Sequence, residues 1–258
     1  MESVRHHGRE TAYRSVARDR RGPTVLYVHG SGGTHSVWAN QYGAADHPVV
    51  AVDLSGHGES GDIDAEPGES TLAAYADDVV AVAGATDADA LVGNSLGGAV
   101  TLWVLLERAW EPDAVVLTGT GPTLPVYGKL LEWLDSEFDR AISFLHGRDR
   151  LFHSTDEELL GNSRTVMRRV GRSVTRRDFL TCDRFDVTDS LSAIGVPALA
   201  LCGEHDTLTP RSAHEQLARG IPDGEFALVP DAAHLAMLER PSVFDEVVAD
   251  FISAVCGE

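Results

Sequence analysis

The stretch that decides the fold is Ala90-Leu91-Val92-Gly93-Asn94-Ser95-Leu96-Gly97-Gly98-Ala99. An apolar run that ends at Asn94 is predicted as a buried strand, and the apolar run Leu96–Leu106 is predicted as a buried helix. Between them stands Gly-x-Ser-x-Gly, which at a strand-to-helix turn exposes a serine hydroxyl above the edge of a sheet. Ser95 is therefore the candidate nucleophile.

Short apolar runs alternate with helical patterns on both sides of this stretch. That alternation is typical of an α/β fold, a mostly parallel sheet with helices on both faces. The predicted strands are Thr24–His29, Val49–Asp53, Ala90–Asn94, Ala114–Thr118, Pro197–Cys202 and Glu225–Pro230. An earlier pair, Ser3–Arg5 and Thr11–Ala17, flanks a turn-like His-Gly and predicts a hairpin at the sheet edge. Together these runs give eight strands.

Helical spacing is clearest in two further places. Thr71–Ala85 predicts a helix with Ser70 as its N-cap, and the apolar repeat after Pro241 predicts a C-terminal helix. The strand rhythm breaks between Gly121 and Ser190. This stretch predicts helices over Val126–His146, Asp156–Arg172 and Arg177–Phe185. We therefore expect a core made of residues 1–121 and 191–258, with residues 122–190 inserted as a helical cap.

A serine hydroxyl needs a neighbouring base, and three histidines qualify. His234 follows the last predicted strand, whereas His29 and His57 each precede a glycine in earlier loops. In enzymes with this serine motif the base comes last along the chain, which favours His234. For His29 and His57 we favour a loop-bracing role.

The base needs a carboxylate that holds its ring in the right tautomer. Asp206 comes shortly after the strand Pro197–Cys202, at the edge of the sheet where ligands of α/β proteins bind. Glu204 is the alternative, although the turn after Gly203 should leave it closer to the strand. We expect Asp206 to fill this role.

A glycine-rich loop, His29-Gly30-Ser31-Gly32-Gly33, follows the first central strand. Its glycines let backbone N–H groups point inward. The N–H of Ser31 is expected to pair with the N–H of Leu96 as an oxyanion hole. A phosphate-binding loop is disfavoured because no Gly-Lys-Ser/Thr ending follows.

These motifs resemble the α/β-hydrolase superfamily along nearly the whole chain. The residues that carry the resemblance are His29-Gly30, Asp53–Ser60, Gly93–Gly98, Gly203–Asp206, and His234 with Glu239-Arg240-Pro241. The resemblance implies a serine hydrolase with an eight-stranded sheet and a helical cap over the site. Ser95 disfavours the family members that use an aspartate nucleophile. Ala233 departs from the glycine that many members have before the histidine.

Several activities fit this pattern. A carboxylic ester of small or medium size is the default substrate. Asn94 before the serine is similar to carbon–carbon hydrolases of ring-fission products, although these tend to have an aromatic residue where Leu235 stands. Lactonase and thioesterase activities also stay open. A non-catalytic binding protein on a hydrolase scaffold is the alternative of another class.

Four residues of the predicted cap are candidate substrate contacts. Trp133, Phe179 and Phe185 could line a pocket, or serve only in helix packing. Arg172 belongs to a cluster with Arg168, Arg169, Arg176 and Arg177 that could bind an anionic group, or form a solvated helix face.

The charge composition indicates which partners and which cellular environment suit the protein. Acidic residues number 40 and basic residues 21, for a net charge of −19, and only Lys129 is a lysine. Such a surface repels nucleic acid and anionic membranes. About 1 M salt would screen the self-repulsion of this surface. The composition therefore indicates a salt-rich cytoplasm, such as that of halophilic archaea. A GC-rich genome would explain the preference for arginine over lysine but not the excess of acidic residues.

The sequence has neither an apolar span of membrane length nor a secretory signal, so a cytoplasmic protein is expected. Its three cysteines indicate neither disulfides nor zinc, and no nucleotide fingerprint appears. We expect no cofactor, no metal and a small-molecule substrate, and the sequence does not fix the oligomeric state.

Overall fold

The computed structural model describes residues 1–17, 19–45, 47–154 and 156–257. Its strands are β1 Glu2–His6, β2 Arg9–Val16, β3 Val25–Val28, β4 Val49–Val52, β5 Ala90–Asn94, β6 Ala114–Thr118, β7 Ala198–Gly203 and β8 Gly224–Val229. They form an eight-stranded sheet in the order β1-β2-β4-β3-β5-β6-β7-β8. The pairs β1–β2 and β2–β4 are antiparallel, and every other neighbouring pair is parallel. The predicted fold class and edge hairpin are confirmed.

Helices cover both faces of this sheet. They are α1 Gln41–Ala44, α2 Glu69–Thr86, α3 Leu96–Glu107, α4 Gly128–Ser136, α5 Phe138–Leu145, α6 Glu157–Val170, α7 Arg172–Asp183, α8 Arg211–Gly220, α9 Ala236–Glu239 and α10 Pro241–Cys256. Alternate residues of the central strands enter opposite cores. Leu26 of β3 packs in the core with Tyr75 of α2, whereas Tyr27 packs in the core with Phe244 of α10. The near-continuous apolar runs of the sequence reflect this double burial.

Three predicted boundaries in the helices are wrong. Helix α2 begins at Glu69 after Gly68, whose φ of 109° favours glycine, so Ser70 lies inside the first turn instead of capping it. The helix predicted over Val126–His146 is two helices, because the backbone turns at Glu137 (φ −133°, ψ 58°). Helix α7 begins at Arg172, five residues before the start predicted at Arg177.

Helices α4 to α7 lie between β6 and β7, within residues 122–190, which we call the insert. Its two ends meet in an isolated antiparallel bridge between Thr123 and Asp186. The division of the chain into core and cap stays a prediction. None of the helices within the described residues is long and apolar enough to cross a membrane.

Candidate active site

Ser95 occupies a strained turn between β5 and α3. Its φ of 56° and ψ of −117° lie outside the regions that L-residues prefer. The Ser95 N–H donates to the Thr118 carbonyl of the neighbouring strand β6 at 2.9 Å, which holds the turn against the sheet. A Cβ on Gly97 would lie 2.3 Å from the Val28 carbonyl oxygen, so only glycine permits α3 to start this close to β3. Crowding at this turn therefore explains why the Gly-x-Ser-x-Gly motif has glycine after the serine.

Asp206 and His234 meet at the ends of β7 and β8. The His234 Nδ1 lies 2.9 Å from an Asp206 carboxylate oxygen, and both side chains are buried. The Thr209 hydroxyl donates to the same oxygen at 2.7 Å, and the N–H groups of Leu208 and Thr209 donate to the other. Burial raises the pKa of Asp206, but the attraction of His234 and these hydrogen bonds outweigh it and lower the pKa. Asp206 is therefore held as a carboxylate.

Glu204, the alternative carboxylate, points elsewhere. Its side chain is exposed and accepts a hydrogen bond from the Asp231 N–H at 3.1 Å. Of the two candidate acids, the structure brings only Asp206 to His234.

Ser95 and His234 line the same cavity. With Nδ1 on Asp206, the Nε2 of His234 is the ring nitrogen left for a substrate or nucleophile. Within the described residues, the Ser95 hydroxyl has no hydrogen-bond partner, so its contact with His234 is not formed in this state. In free enzymes such contacts are often long and tighten when substrate binds.

His29 and His57, the other two candidate bases, form hydrogen bonds that connect the loops around the site. His29 is fully buried; its Nε2 accepts from the Leu54 N–H at 3.2 Å and its Nδ1 faces the Gly30 carbonyl. Burial lowers the pKa of His29 to about 4. His57 is also fully buried and contacts Asp178 at 2.9 Å. Neither ring is among the described residues that line the cavity.

The two predicted oxyanion donors lie on either side of Ser95. Leu96 is the first residue of α3, and Ser31 lies in the turn Gly30–Gly33, which is closed by the Gly33 N–H and the Gly30 carbonyl at 3.1 Å. In the part of the chain that the structure describes, neither the Ser31 N–H nor the Leu96 N–H has a protein acceptor. Ser31 lines the cavity, and Leu96 directly follows Ser95, which also lines it. A helix N-terminus such as that of α3 favours negative charge.

The cavity has a volume of about 720 Å³ and extends from Ser95 under the insert. The insert contributes mainly apolar side chains. They include Leu124, Leu130, Phe144, Leu159, Val166 and Phe179. A cavity of this size and composition suits a small organic molecule with an apolar part.

Of the four predicted substrate contacts, only Phe179 lines this cavity. Trp133 packs against Phe144 with ring centroids 5.4 Å apart, on the outer side of the apolar lining. Phe185 is 4% exposed and belongs to the core below the insert. Arg172 is exposed and donates to the Asp135 carbonyl at 2.8 Å.

The cavity does contain two other arginines. Arg150 donates to the Phe144 carbonyl at 2.6 Å, with its guanidinium 3.7 Å from the centre of the Phe144 ring. Arg169 is exposed and, among the described residues, has no ion pair. Its neighbour Arg168, in contrast, pairs with Asp139 at 2.9 Å.

The insert also binds the loop that carries His234, a contact the sequence did not reveal. The His234 N–H donates to the Arg150 carbonyl at 3.2 Å. The Glu239 carboxylate accepts from the N–H groups of His153 and Ser154 in the insert, and from Ala233 beside the histidine. The backbone of the insert therefore helps to place the candidate base.

Two groups of side chains on described residues could hold a metal ion. They are Asp149 with His153 and His205, and Glu204 with His205 and Asp231. The rings of His153 and His205 stack at 3.9 Å with planes 14° apart, and the His153 Nδ1 lies 2.6 Å from an Asp149 oxygen. Parallel rings do not direct their in-plane lone pairs to one point, so stacking and hydrogen bonding account for this group.

A sheet of this order, with site residues on the loops that follow β5, β7 and β8, defines the α/β-hydrolase class of folds. A sequence model described as "Alpha/beta hydrolase family" matches residues 25–247. The chain belongs to this family.

Known relatives include esterases and a lactonase. The solved structure titled "Structure of a thermophilic esterase" is 30% identical with a TM-score of 0.86, covering 98% of this chain and 97% of the other. The pimeloyl-[acyl-carrier protein] methyl ester esterase of Neisseria meningitidis is 29% identical, over 91% of this chain and 78% of its own. The 3-oxoadipate enol-lactonase 1 of Acinetobacter baylyi is 23% identical, over 90% of each.

Proposed function

We propose that this chain is a serine hydrolase that cleaves a carboxylic ester through an acyl-enzyme on Ser95. One observation carries the proposal. A serine on a strained strand-to-helix turn shares a cavity with His234, and the far ring nitrogen of His234 is hydrogen-bonded to buried Asp206. The esterases among the relatives support an ester as substrate.

The reaction follows from this arrangement. The Nε2 of His234 takes the proton of the Ser95 hydroxyl as its oxygen attacks the carbonyl carbon, and Asp206 stabilises the imidazolium that forms. The N–H groups of Ser31 and Leu96 hydrogen-bond the tetrahedral oxyanion. His234 then protonates the departing alkoxide. Water, deprotonated by the same ring, cleaves the acyl-enzyme and releases the acid.

A second candidate is a substrate with a carboxylate away from the reacting carbonyl, such as a lactone or ring-fission product that bears one. Arg150 and Arg169 favour it because both line the cavity and neither forms an ion pair within the described residues. An arginine can hold a carboxylate through two parallel hydrogen bonds. The enol-lactonase relative agrees with this candidate.

A fluorophosphonate probe tests the proposal against a non-catalytic binding protein. We expect the wild type to be labelled at Ser95 and Ser95→Ala to be unlabelled. On a panel of esters, thioesters, lactones and ring-fission products, Ser95→Ala should lose several orders of magnitude in turnover. A wild type that neither labels nor turns over any of these compounds would contradict the proposal, and the product that forms fastest identifies the bond cleaved.

We also propose that the protein works in a salt-rich cytoplasm. Its net charge of −19 makes self-repulsion strong at low ionic strength, and about 1 M salt already shortens the screening length to about 3 Å. The unfolding midpoint should be higher in multimolar KCl than in dilute KCl. Equal midpoints in the two solutions would rule this out.

A further inference from the structure

The turn that carries Ser31 is held by a buried carboxylate from the insert. Gly32, at the third position of the turn, has a φ of +66°, as a type II turn requires, and Ser31 before it has no positive φ. The central N–H of the turn, that of Gly32, donates to an Asp178 oxygen at 3.1 Å. Asp178 lies on α7 and is 0% exposed. The orientation of this turn therefore depends on one side chain 146 residues away.

Asp178 accepts two further hydrogen bonds. His57 shares the oxygen that Gly32 contacts, at 2.9 Å, and the Tyr75 hydroxyl donates to the other oxygen at 2.8 Å. His57 presents its second nitrogen to the Ser55 carbonyl at 3.2 Å, so both ring nitrogens face acceptors and both must carry protons. Burial opposes both charges, yet their attraction raises the pKa of His57 and lowers the pKa of Asp178. The carboxylate is thus a charged acceptor inside the protein.

Side chains of the insert also pack against the turn. A Cβ on Gly32 would lie 3.1 Å from Met167 of α6 and 3.3 Å from Thr175 of α7. The Ser31 hydroxyl contacts the Cys182 sulfur, also on α7, at 3.7 Å. Helices of the insert therefore enclose the turn on the side away from Ser95.

We propose that Asp178 is a positioning residue for the oxyanion hole. It fixes the central peptide of the turn Gly30–Gly33, and thereby the place from which the Ser31 N–H meets the developing oxyanion. The inference rests on the proposed function. It gives α7 a part in the chemistry besides covering the cavity, because the core alone supplies no acceptor for Gly32 among the described residues.

The test compares three variants of the full chain. Asp178→Ala removes the acceptor. Because it also leaves His57 charged and buried, the double variant His57→Phe with Asp178→Leu replaces the ion pair by apolar residues, which is often neutral for stability. Tyr75→Phe is the matched control, since it removes a hydrogen bond to the same carboxylate without contacting the turn. Each is assayed for kcat and KM on the best ester, for its melting temperature, and for the amide resonance of Gly32 by NMR.

We expect both Asp178 variants to lose about 10- to 100-fold in kcat with KM nearly unchanged, since loss of a whole oxyanion donor costs about 100- to 1000-fold. Their Gly32 amide proton should move upfield and exchange faster with solvent. Tyr75→Phe should keep both properties. The inference is wrong if the folded double variant keeps its kcat, or if Tyr75→Phe loses as much. A wild type that fails to label at Ser95 defeats the proposed function and this inference together; the Gly32 resonance then still reports whether Asp178 holds the turn.

Discussion

The two walls of the cavity differ in what holds their side chains. On the sheet side, Ser95, Asp206 and His234 lie on short loops that follow strands of the sheet, and hydrogen bonds to backbone groups hold them. On the insert side, helices present apolar side chains and two arginines whose position depends on how the helices pack. The difference indicates that the sheet edge supplies the candidate reacting groups, while the insert helps to place them and lines most of the space beside them.

The largest expected effect lies on the sheet side. Asp206→Asn should lower kcat by about 10⁴-fold, because an amide in this place favours the wrong tautomer of the histidine ring. Glu204→Gln serves as the control, since Glu204 contacts the Asp231 N–H and not His234; it should keep kcat within about twofold. Steady-state kinetics on one ester measure both. Similar losses in the two variants would contradict our assignment of the acid.

Buried histidines on both sides should make the protein less stable at acid pH. Burial lowers the pKa of His29 and His214 in the core, and of His146 in the insert, to about 4. The unfolded chain, with values near 6.5, binds more protons between pH 6.5 and 4, so the free energy of unfolding falls as pH drops through that window. The loss should amount to several kcal/mol in sum, at about 1.4 kcal/mol for each pKa unit.

Urea unfolding at pH 7, 5.5 and 4.5 measures this loss. His214 accepts from the Thr120 N–H at 3.2 Å, so it must stay neutral at one nitrogen, and His214→Gln should flatten the pH dependence. His146→Gln should do the same for the insert. A wild type equally stable at all three pH values would show that these rings are not buried in the neutral form.

The smallest expected effect lies on the insert side. Arg169→Ala should raise KM for an ester with a distal carboxylate by about 2- to 5-fold and leave KM for a neutral ester unchanged, because an exposed ion pair contributes about 1 kcal/mol or less. Arg168→Ala is the matched control, since Arg168 pairs with Asp139. If both variants behave alike on both esters, the cavity does not bind its substrate through Arg169.

The same contrast explains what the sequence could predict. Strands β5 and β6 have the predicted bounds, because the turn residues beside them leave few alternatives. Asp206 and His234 follow the ends of β7 and β8 within a few residues, so the chain direction of these strands brings both residues to the same edge of the sheet. The sequence therefore suffices for most of the sheet and for the residues at its edge.

The insert depends on contacts between distant parts of the chain. Trp133 and Arg172 are absent from the lining because packing sets the rotation of their helices, and periodicity does not record that packing. Phe185 follows α7 and packs into the hydrophobic core instead. Nothing in the sequence around Asp178 distinguishes it from other acidic residues, because its partner His57 is 121 residues away. Thr209 could have been found, since a threonine three residues after an aspartate often closes a local hydrogen-bonded turn.

The contacts of His234 and Glu239 also set the moment at which the site can form. During synthesis the strand and helix around Ser95 emerge well before both of these residues. Until these two residues have emerged and folded, the insert lacks the carboxylate that binds the backbone of His153 and Ser154, and Ser95 lacks its candidate base. Under the proposed function, a chain truncated before His234 should therefore be inactive toward esters.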